Sequence, residues 1–257
     1  MIPILVTGSA GQLGKSIQKI MSDYPELDVA FKSSRELDIT NSTQIRKAFE
    51  AGRFKYCINC AAYTDVDRAE REPEMAFAVN CEGVENLAKA CRDNATILIH
   101  ISTDYVFDGE KEGSYGVEDK PNPINEYGKS KLLGERHIQK LLDTYFIVRT
   151  SWLYSEFGRN FYTTILRKAR TDTVLQVTDD QTGCPTHAGN LAKYILDLVD
   201  SGRDDFGIHH FTDGEAMTWH GFAKRIVREN GLIDSVKLKK AENYRTFARR
   251  PKNSVLG

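Results

Sequence analysis

A short apolar segment that runs directly into three regularly spaced glycines most constrains the fold of this chain. The apolar segment covers residues 2–7, and Gly8, Gly11 and Gly14 follow it in the pattern G-x-x-G-x-x-G. Apolar residues then recur at helical spacing. Glycines permit a tight turn and close approach of another molecule to the backbone, and the N-terminus of the next helix favours an anion. This beginning predicts a strand–turn–helix unit that binds the diphosphate of a dinucleotide.

Predicted strands and helices alternate up to about residue 150. The strands are expected at 27–31, 56–59, 96–102 and 145–149, and the helices from about 41, at 74–93 and at 125–142. Alternation of this kind builds parallel βαβ units. We therefore predict an α/β fold, with a Rossmann-type doubly wound parallel sheet and a smaller C-terminal lobe.

The pattern loosens after residue 150. Helices are expected at 159–170, 188–200 and 218–230, with short strands near residues 174 and 208. We predict a dinucleotide-binding domain over residues 1–150. Residues 151–257 are expected to form mainly a substrate-binding lobe, with some segments returning to the Rossmann domain.

Composition excludes several classes of partner. The formal net charge of the 257 residues is −1, so no general attraction to nucleic acid or to a membrane surface is expected. No apolar run reaches the length of a membrane span, and the N-terminus lacks the pattern of a signal peptide. Five dispersed cysteines suggest a reducing compartment, so we expect a cytoplasmic protein.

Cys57 and Cys60 form a C-x-x-C pair, which in other settings binds zinc or carries redox chemistry. Here the pair lies in a predicted strand, where residues three apart point to opposite faces of the sheet. A packing role is therefore favoured, and the adjacent His209 and His210 on another predicted strand are interpreted in the same way. No metal site is predicted.

The end of the second predicted strand indicates which nicotinamide cofactor is preferred. Lys32, Ser33 and Arg35 occur where an acidic residue would bind the ribose of NADH, and a basic run suits the 2′-phosphate of NADPH. We predict a preference for NADPH, with NADH also possible. The predicted cofactor-binding residues are Gly8, Ala10, Gly11, Gln12, Leu13, Gly14, Lys32, Ser33, Arg35, Asp38, Ile39, Ala61, Ala62, Tyr63, Thr64, Tyr127 and Lys131.

Three polar side chains could carry proton transfer. Tyr127 and Lys131 are four residues apart on a predicted helix, so they share one face, and a cation there is expected to lower the tyrosine pKa. Thr103 follows the most apolar predicted strand and should emerge with Asp104 at the carboxyl edge of the sheet, where ligands bind in open α/β folds. We predict Tyr127, Lys131 and Thr103 as catalytic residues.

The glycine spacing is typical of the short-chain dehydrogenase/reductase superfamily, and longer runs narrow the resemblance. Residues 102–109 read STDYVFDG, residues 127–135 read YGKSKLLGE and residues 148–154 read VRTSWLY. Together with DQTGCPT at 180–186 and RPKNS at 250–254, they resemble the dTDP-4-dehydrorhamnose reductases from end to end.

The resemblance implies NADPH-dependent reduction of the C4 keto group of dTDP-4-dehydro-6-deoxy-L-mannose to dTDP-L-rhamnose, a precursor of surface polysaccharides. It implies that Tyr127 donates the proton and that Lys131 holds the nicotinamide ribose and lowers the Tyr127 pKa. Thr103, Asp104, Tyr127 and Trp152 would contact the sugar, and Arg250 would pair with the nucleotide diphosphate.

The chain departs from the resemblance in two ways. It stops at Gly257, soon after the RPKNS run, whereas family members usually continue through a further helix. We expect either a shortened member or a missing terminal segment, with a greater effect on substrate affinity than on fold. Some relatives bind Mg²⁺ through acidic residues at a dimer interface, and one such position is Lys15 here. A magnesium-bridged dimer is therefore not expected, and both a monomer and a homodimer remain open.

Two other functions remain open from the sequence. A related 4,6-dehydratase or 4-epimerase would share the fold, but the Asp-Glu pair of a dehydratase is replaced by Asp104-Tyr105. An epimerase would retain tightly bound NAD⁺. A non-catalytic binding protein, like the regulatory subunit of methionine adenosyltransferase, is the second alternative, and the intact Thr103, Tyr127 and Lys131 set argues against it.

Overall fold

The computed structural model describes residues 1–242 and 245–257. Strands and helices alternate in its first 150 residues, as predicted. In chain order they are β1 (Ile2–Thr7), α1 (Gln12–Ile20), β2 (Leu27–Lys32), α2 (Ser42–Gly52), β3 (Tyr56–Asn59), α3 (Val66–Arg71), α4 (Pro73–Phe77), α5 (Gly83–Asp93), β4 (Ile97–Thr103), α6 (Glu126–Leu141) and β5 (Tyr145–Thr150). A π-helical turn, Ala78–Glu82, joins α4 to α5.

The later part of the chain contains shorter elements. They are β6 (Leu153–Tyr154), α7 (Phe161–Ala169), β7 (Val174–Val177), β8 (Thr182–Gly183), β9 (Thr186–His187), α8 (Ala188–Asp200), β10 (Gly207–His210), β11 (Met217–Thr218), α9 (Trp219–Glu229) and β12 (Lys237–Lys240). The three helices predicted after residue 150 correspond to α7, α8 and α9.

Six strands form one parallel sheet in the order β10-β5-β4-β3-β1-β2. The predicted Rossmann-type sheet is therefore confirmed. Helices cover both faces, which explains why the central strands read as nearly continuous apolar runs. Because all six strands are parallel, their carboxyl ends meet at one edge, where Asn59, Thr103 and Thr150 end their strands.

Alternate residues of the central strands enter two separate cores. Ile4 and Ile58 pack on one face with residues of α1 and α8. Leu5 and Cys57 pack on the other face with residues of α2, α5 and α6. Cys57 and Cys60 therefore lie against opposite faces, as predicted, and all five cysteines are free thiols. The C-x-x-C pair contributes to packing.

The segments after residue 150 divide between the sheet and a smaller layer. β10 joins the edge of the sheet beside β5, and α8 packs on α1. By contrast α7, β7, α9 and β12 share their own apolar core, which includes Ile165, Leu175 and Phe222. No helix among the described residues is long and apolar enough to cross a membrane.

A buried ion pair fixes α6 to the sheet. The Glu135 carboxylate on α6 accepts hydrogen bonds from Arg149 Nε at 3.0 Å and Nη2 at 2.7 Å, and from Ser102 Oγ at 2.5 Å. Both charged side chains are 1% exposed. This three-residue clasp joins α6 to β4 and β5, and α6 carries Tyr127 and Lys131.

Candidate active site

A cavity of about 520 Å³ opens at the carboxyl ends of β3, β4 and β5. Its wall is completed by the loop before α1, by α6 and by aromatic residues of α7 and α9. The predicted site residues that line it are Gln12, Leu13, Ala61, Ala62, Thr64, Thr103, Asp104, Tyr127, Lys131 and Trp152. The topology thus brings together the predicted proton-transfer residues and part of the predicted cofactor site.

The glycine-rich loop packs tightly between β1 and β3. Gly8 has a φ of +65°, and a Cβ there would lie 2.5 Å from Ala61 N. A Cβ on Gly14 would lie 2.5 Å from the Cα of Ser9. Only glycine fits at these two positions, and α1 begins immediately afterwards, with Gly11 as its N-cap and no capping side chain. The helix N-terminus therefore keeps backbone N–H groups for an anion, as dinucleotide binding requires.

Tyr127, Thr103 and Asp104 form a buried hydrogen-bonded group. Thr103 Oγ1 donates to Asp104 Oδ1 at 3.0 Å and is also hydrogen-bonded to Tyr127. Burial raises the pKa of Asp104 to about 7, against hydrogen bonds with Ser254 and Thr103 that lower it. The site therefore holds a hydroxyl and a protonatable carboxyl next to the tyrosine.

The prediction that Lys131 lowers the Tyr127 pKa is wrong for the protein without cofactor or substrate. Burial raises the pKa of Tyr127 to about 12, the hydrogen bond with Thr103 lowers it in part, and the charge of Asp104 raises it. The sequence spacing shows that Lys131 shares a helix face with Tyr127, but it does not show how deeply the phenol is buried. Desolvation of the phenolate is the larger effect here.

Lys131 is directed into the sheet. Its side chain is 1% exposed, and Nζ lies 2.6 Å from the carbonyl oxygen of Ile101 and 3.2 Å from His100 Nε2. Burial lowers the pKa of Lys131 to about 8, while the charge of Glu135 opposes that shift.

The predicted 2′-phosphate site contains an acidic residue that sequence reasoning did not consider. Lys32 ends β2, and its carbonyl accepts from Ser9 N at 3.1 Å, which places it beside the glycine loop. The N–H and hydroxyl of Ser33 both donate to Glu36 Oε2, at 2.8 and 2.6 Å. Arg35 is exposed. Lys32 and Glu36 line a separate groove of about 690 Å³ along β2 and α2.

Asp38, Ile39 and Tyr63, which were also predicted to bind the cofactor, do not line the cavity. Asp38 is exposed and accepts from the N–H and hydroxyl of Thr40, which forms the turn before α2. Ile39 is 3% exposed and belongs to the core beneath α2 and α5. Tyr63 is held by Asn80, whose amide accepts from Tyr63 N and donates to Tyr63 O, both at 2.9 Å.

Asn80 is a positioning residue that the sequence analysis missed. Its Nδ2 also donates to Ser130 Oγ at 3.0 Å, so it links the segment after β3 to α6. It lies in the π-helical turn and is fully buried. A polar residue among the apolar positions of the predicted helix at 74–93 was the available indication.

Two stacked tryptophans form the outer wall of the cavity. The rings of Trp152 and Trp219 are parallel within 5°, with centroids 3.5 Å apart. Trp219 Nε1 donates to Gln181 Oε1 at 3.0 Å. Trp152 has a φ of +46°, a costly conformation for a bulky residue, and the absence of a side chain at Gly183 leaves room for its ring. Sequence reasoning identified Trp152 but missed its partner.

Arg250 lines an adjoining cavity of about 500 Å³. Phe161 and Trp219 line both cavities. Arg250 Nη2 lies 2.8 Å from Asp67 Oδ2 and Nη1 lies 3.2 Å from Oδ1, so the guanidinium forms a bidentate pair. The structure thus places Arg250 outside the first cavity and against Asp67.

The described residues contain no group of three or more His, Cys, Asp or Glu side chains that could hold a metal ion. Lys15, where some relatives are expected to carry a magnesium ligand, has its Nζ 6.0 Å from the centroid of the Phe157 ring.

The sheet, the glycine loop and the Tyr-Lys helix define an α/β protein of the extended short-chain dehydrogenase/reductase type. The family model described as "RmlD substrate binding domain" matches residues 2–257. The chain belongs to this family.

Individual relatives agree with this assignment. A dTDP-4-dehydrorhamnose reductase from Aggregatibacter actinomycetemcomitans is 39% identical, over all of this chain and 90% of the relative. The crystal structure of a dTDP-4-dehydrorhamnose reductase from Clostridium acetobutylicum is 39% identical, with a TM-score of 0.93 over 99% of this chain and 89% of that one. The Bacillus anthracis dTDP-4-dehydrorhamnose reductase, solved in complex with NADP, is 36% identical, with a TM-score of 0.95 over 100% of this chain and 91% of that one.

Proposed function

We propose that this chain reduces the C4 keto group of dTDP-4-dehydro-6-deoxy-L-mannose to give dTDP-L-rhamnose, as part of nucleotide-sugar and surface-polysaccharide biosynthesis. One observation carries the proposal. Tyr127, Lys131 and Thr103 line a single cavity at the carboxyl edge of the sheet, together with Gln12 and Leu13 at the start of α1. The two reductase structures of similar fold support the same reaction.

Each residue then has a defined role. Tyr127 gives its hydroxyl proton to the C4 oxygen, and Thr103 hydrogen-bonds the same oxygen and orients it. Lys131 holds the nicotinamide ribose. Asp104 and Trp152 contact the sugar. When bound, NADPH supplies the hydride.

The residues present fit a dinucleotide. The positions of Gly8 and Gly14 admit no side chain, and α1 offers uncapped N–H groups to a diphosphate. The residues proposed to hold the cofactor are the predicted set from Gly8 to Gly14, the segment Ala61–Thr64, Asp38 and Ile39, Lys32, Ser33 and Arg35 at the end of β2, and Tyr127 and Lys131. Ile39 would contribute through its backbone, because its side chain is in the core.

A preference for NADPH over NADH rests on Lys32 and Arg35, which would attract the 2′-phosphate, against the opposing charge of Glu36. Replacing Lys32 and Arg35 with glutamate should move the ratio of kcat/KM for NADPH over NADH toward NADH by tenfold or more. Lys237→Glu/Lys239→Glu on β12 replaces two exposed lysines and changes the charge by the same amount, so it is the matched charge control. An unchanged ratio in the variant of Lys32 and Arg35 would refute the preference.

Arg250 is proposed to pair with the diphosphate of the substrate. Its bidentate contact with Asp67 implies that the diphosphate must compete with that carboxylate. Arg250→Lys retains the charge but loses the planar fork, so KM for the nucleotide sugar should rise with little change in kcat.

Consumption of NADPH after addition of the dTDP-4-keto sugar tests the reaction. Tyr127→Phe should lower kcat by about 10²–10⁴-fold, because it removes the proton donor. Tyr145→Phe, at the opposite end of the sheet, is the matched control and should retain activity. Tightly bound NAD⁺ in the purified protein would favour an epimerase. No turnover with any 4-keto nucleotide sugar would favour a non-catalytic binding protein.

We also propose a domain division, a cellular location and an oligomeric state. The dinucleotide-binding domain spans residues 1–150, and the later residues form mainly the substrate lobe, which the separate core of α7 and α9 supports. Five free thiols fit a cytoplasmic location. The protein is expected to be a monomer or a homodimer, without a structural Mg²⁺.

A further inference from the structure

Thr103 joins Asp104 to Tyr127 in the wall of the cavity. Thr103 Oγ1 lies 3.0 Å from Asp104 Oδ1, is hydrogen-bonded to Tyr127 and accepts from Tyr105 N at 3.1 Å. Thr103 is 5% exposed and Asp104 is 2% exposed, and both line the cavity together with Tyr127. Three partners therefore share one hydroxyl, which has a single proton to give.

One of these three hydrogen bonds has a fixed direction. A peptide N–H can only donate, so Tyr105 N occupies one lone pair of Thr103 Oγ1. The hydroxyl then has one lone pair and one proton left for Asp104 and Tyr127. Thr103 must therefore donate to one of these two side chains and accept from the other.

An ionised Asp104 would direct both hydroxyl protons away from the cavity. A carboxylate can only accept, so Thr103 would donate to Asp104 and would accept from the Tyr127 hydroxyl. Tyr127 would then hold its proton in the bond to Thr103. Neither hydroxyl would have a proton directed at the C4 oxygen of a substrate.

A protonated Asp104 reverses the direction of both bonds. Its carboxyl O–H donates to Thr103 Oγ1, so Thr103 is left with a proton for Tyr127 or for the C4 oxygen. The Tyr127 hydroxyl no longer has to donate to Thr103, and its proton is free for the C4 oxygen. Once that proton has moved to the substrate, the Thr103 hydroxyl is in place to donate to the tyrosinate.

We infer that Asp104 acts as a carboxylic acid whose O–H, donated to Thr103, turns the hydroxyl protons of Thr103 and Tyr127 toward the substrate. Asp104 is thus a positioning residue for the proton donor. The inference rests on the proposed function, because it requires Tyr127 to protonate the C4 oxygen. The surroundings of the carboxyl favour the neutral form. Asp104 Oδ2 is buried and has no well-formed hydrogen bond among the residues that the structure describes, so an ionised carboxyl would be poorly solvated.

The groups around Asp104 come from four parts of the chain. They are Tyr105 on the turn Asp104–Val106, Tyr127 on α6, Cys184 between β8 and β9, and Ser254 and Arg250 on the C-terminal segment. The charge of an ionised Asp104 raises the pKa of Tyr105, Tyr127 and Cys184, whereas Arg250 lowers that of Tyr105. Burial raises the pKa of Asp104 to about 7, although its hydrogen bond with Ser254 lowers it in part. The neutral carboxyl is therefore present up to neutral pH.

Carbon NMR of the protein with labelled aspartate tests the ionisation without a substrate. The Asp104 carboxyl signal, assigned by its loss in Asp104→Asn, should titrate near pH 7, well above the ordinary aspartate value of about 3.9. Asp108 is an internal reference, because hydrogen bonds from Glu110 N and Asn122 lower the pKa of its carboxyl. An Asp104 signal that titrates at the ordinary aspartate value or below it would overturn the inference.

The pH profile of the reaction tests the direction of the hydrogen bonds. With saturating NADPH, kcat/KM for the keto sugar should fall about tenfold per pH unit above the Asp104 pKa, because only the protonated form presents the Tyr127 proton. In Asp104→Asn the amide NH₂ can donate to Thr103 at every pH. Whatever the rate of this variant, its fall should begin about one pH unit higher, where Lys131, with a pKa of about 8, loses its proton.

Asp108→Asn is the matched control, because it removes a carboxyl four residues further along the same loop. It should keep the wild-type midpoint. An Asp104→Asn profile with the wild-type midpoint would refute the inference, since another group would then cause the fall. Absence of turnover with the keto sugar at every pH would refute the proposed function alone, since the carboxyl titration does not depend on it.

Discussion

The buried Glu135–Arg149 pair offers the sharpest test of how α6, the helix that carries Tyr127 and Lys131, is held. We expect Arg149→Met to lower the free energy of unfolding by about 3–5 kcal/mol, because it leaves the Glu135 carboxylate buried without its cation. The hydrogen bonds that the variant loses give a similar decrease in the free energy of unfolding. The variant loses two hydrogen bonds between charged groups, at about 1.5–3 kcal/mol each, and only Ser102 remains as a donor.

The matched control removes both charges. In Glu135→Leu/Arg149→Met neither partner is left as a buried charge without its counterion, so most of the lost stability should return. Urea unfolding measures the difference, with an unchanged m-value showing that the unfolded states are comparable. For a chain of this length, thermal unfolding should shift by roughly 6–20 °C in the single variant. A single variant within about 1 kcal/mol of the wild type, or a double variant less stable than the single, would refute the reasoning.

Three further predictions concern the cofactor loop, the aromatic wall and the buried acid. Gly8→Ala should weaken NADPH binding by tenfold or more, measured by calorimetry, whereas Gly113→Ala, with a similar φ of +80° but open space, should not. Trp152 and Trp219 are the two tryptophans of the chain, so binding of a dTDP-sugar between the cavities should change their fluorescence, and an unchanged spectrum at saturation would contradict their role. The folded protein keeps the Asp104 proton up to about pH 7 while the unfolded chain loses it near pH 4, so stability should fall as pH rises through this window. In Asp104→Asn, the free energy of unfolding in urea should fall less between about pH 4 and about pH 7 than it does in the wild type. An equal fall would exclude Asp104 as the source of the pH dependence.

The sequence predicted the sheet and its edge well because those depend on local patterns. Largely apolar runs such as residues 97–101, most of which are buried, are typical of the central strands of a covered sheet. The glycine spacing requires a turn at a defined position, so the sequence alone identifies Gly8 and Gly14. Cys57 and Cys60 were assigned to opposite faces from strand geometry alone.

Contacts between distant segments were beyond the sequence. Trp219 stacks on Trp152 across 67 positions of chain, and no local pattern marks that pairing. Glu36 directly follows the basic run that suggested NADPH, and its bond to Ser33 is a local contact that depends on the conformation of the turn. The Tyr127 pKa depends on burial, which helical spacing does not reveal. The tryptophan stacking and the burial of Tyr127 arise from tertiary packing, which the order of residues along one element does not encode.

Transfer of an isotope is the most direct test of the reductase assignment. NADPH deuterated at C4 of the nicotinamide would be incubated with the wild-type protein and the dTDP-4-keto sugar, and the product analysed by NMR and mass spectrometry. We expect one deuterium at C4 of a dTDP-6-deoxyhexose with the rhamnose configuration, and almost none in the same time with Tyr127→Phe. Deuterium that stays on the cofactor, or exchange with solvent at C5 of the sugar, would contradict simple carbonyl reduction.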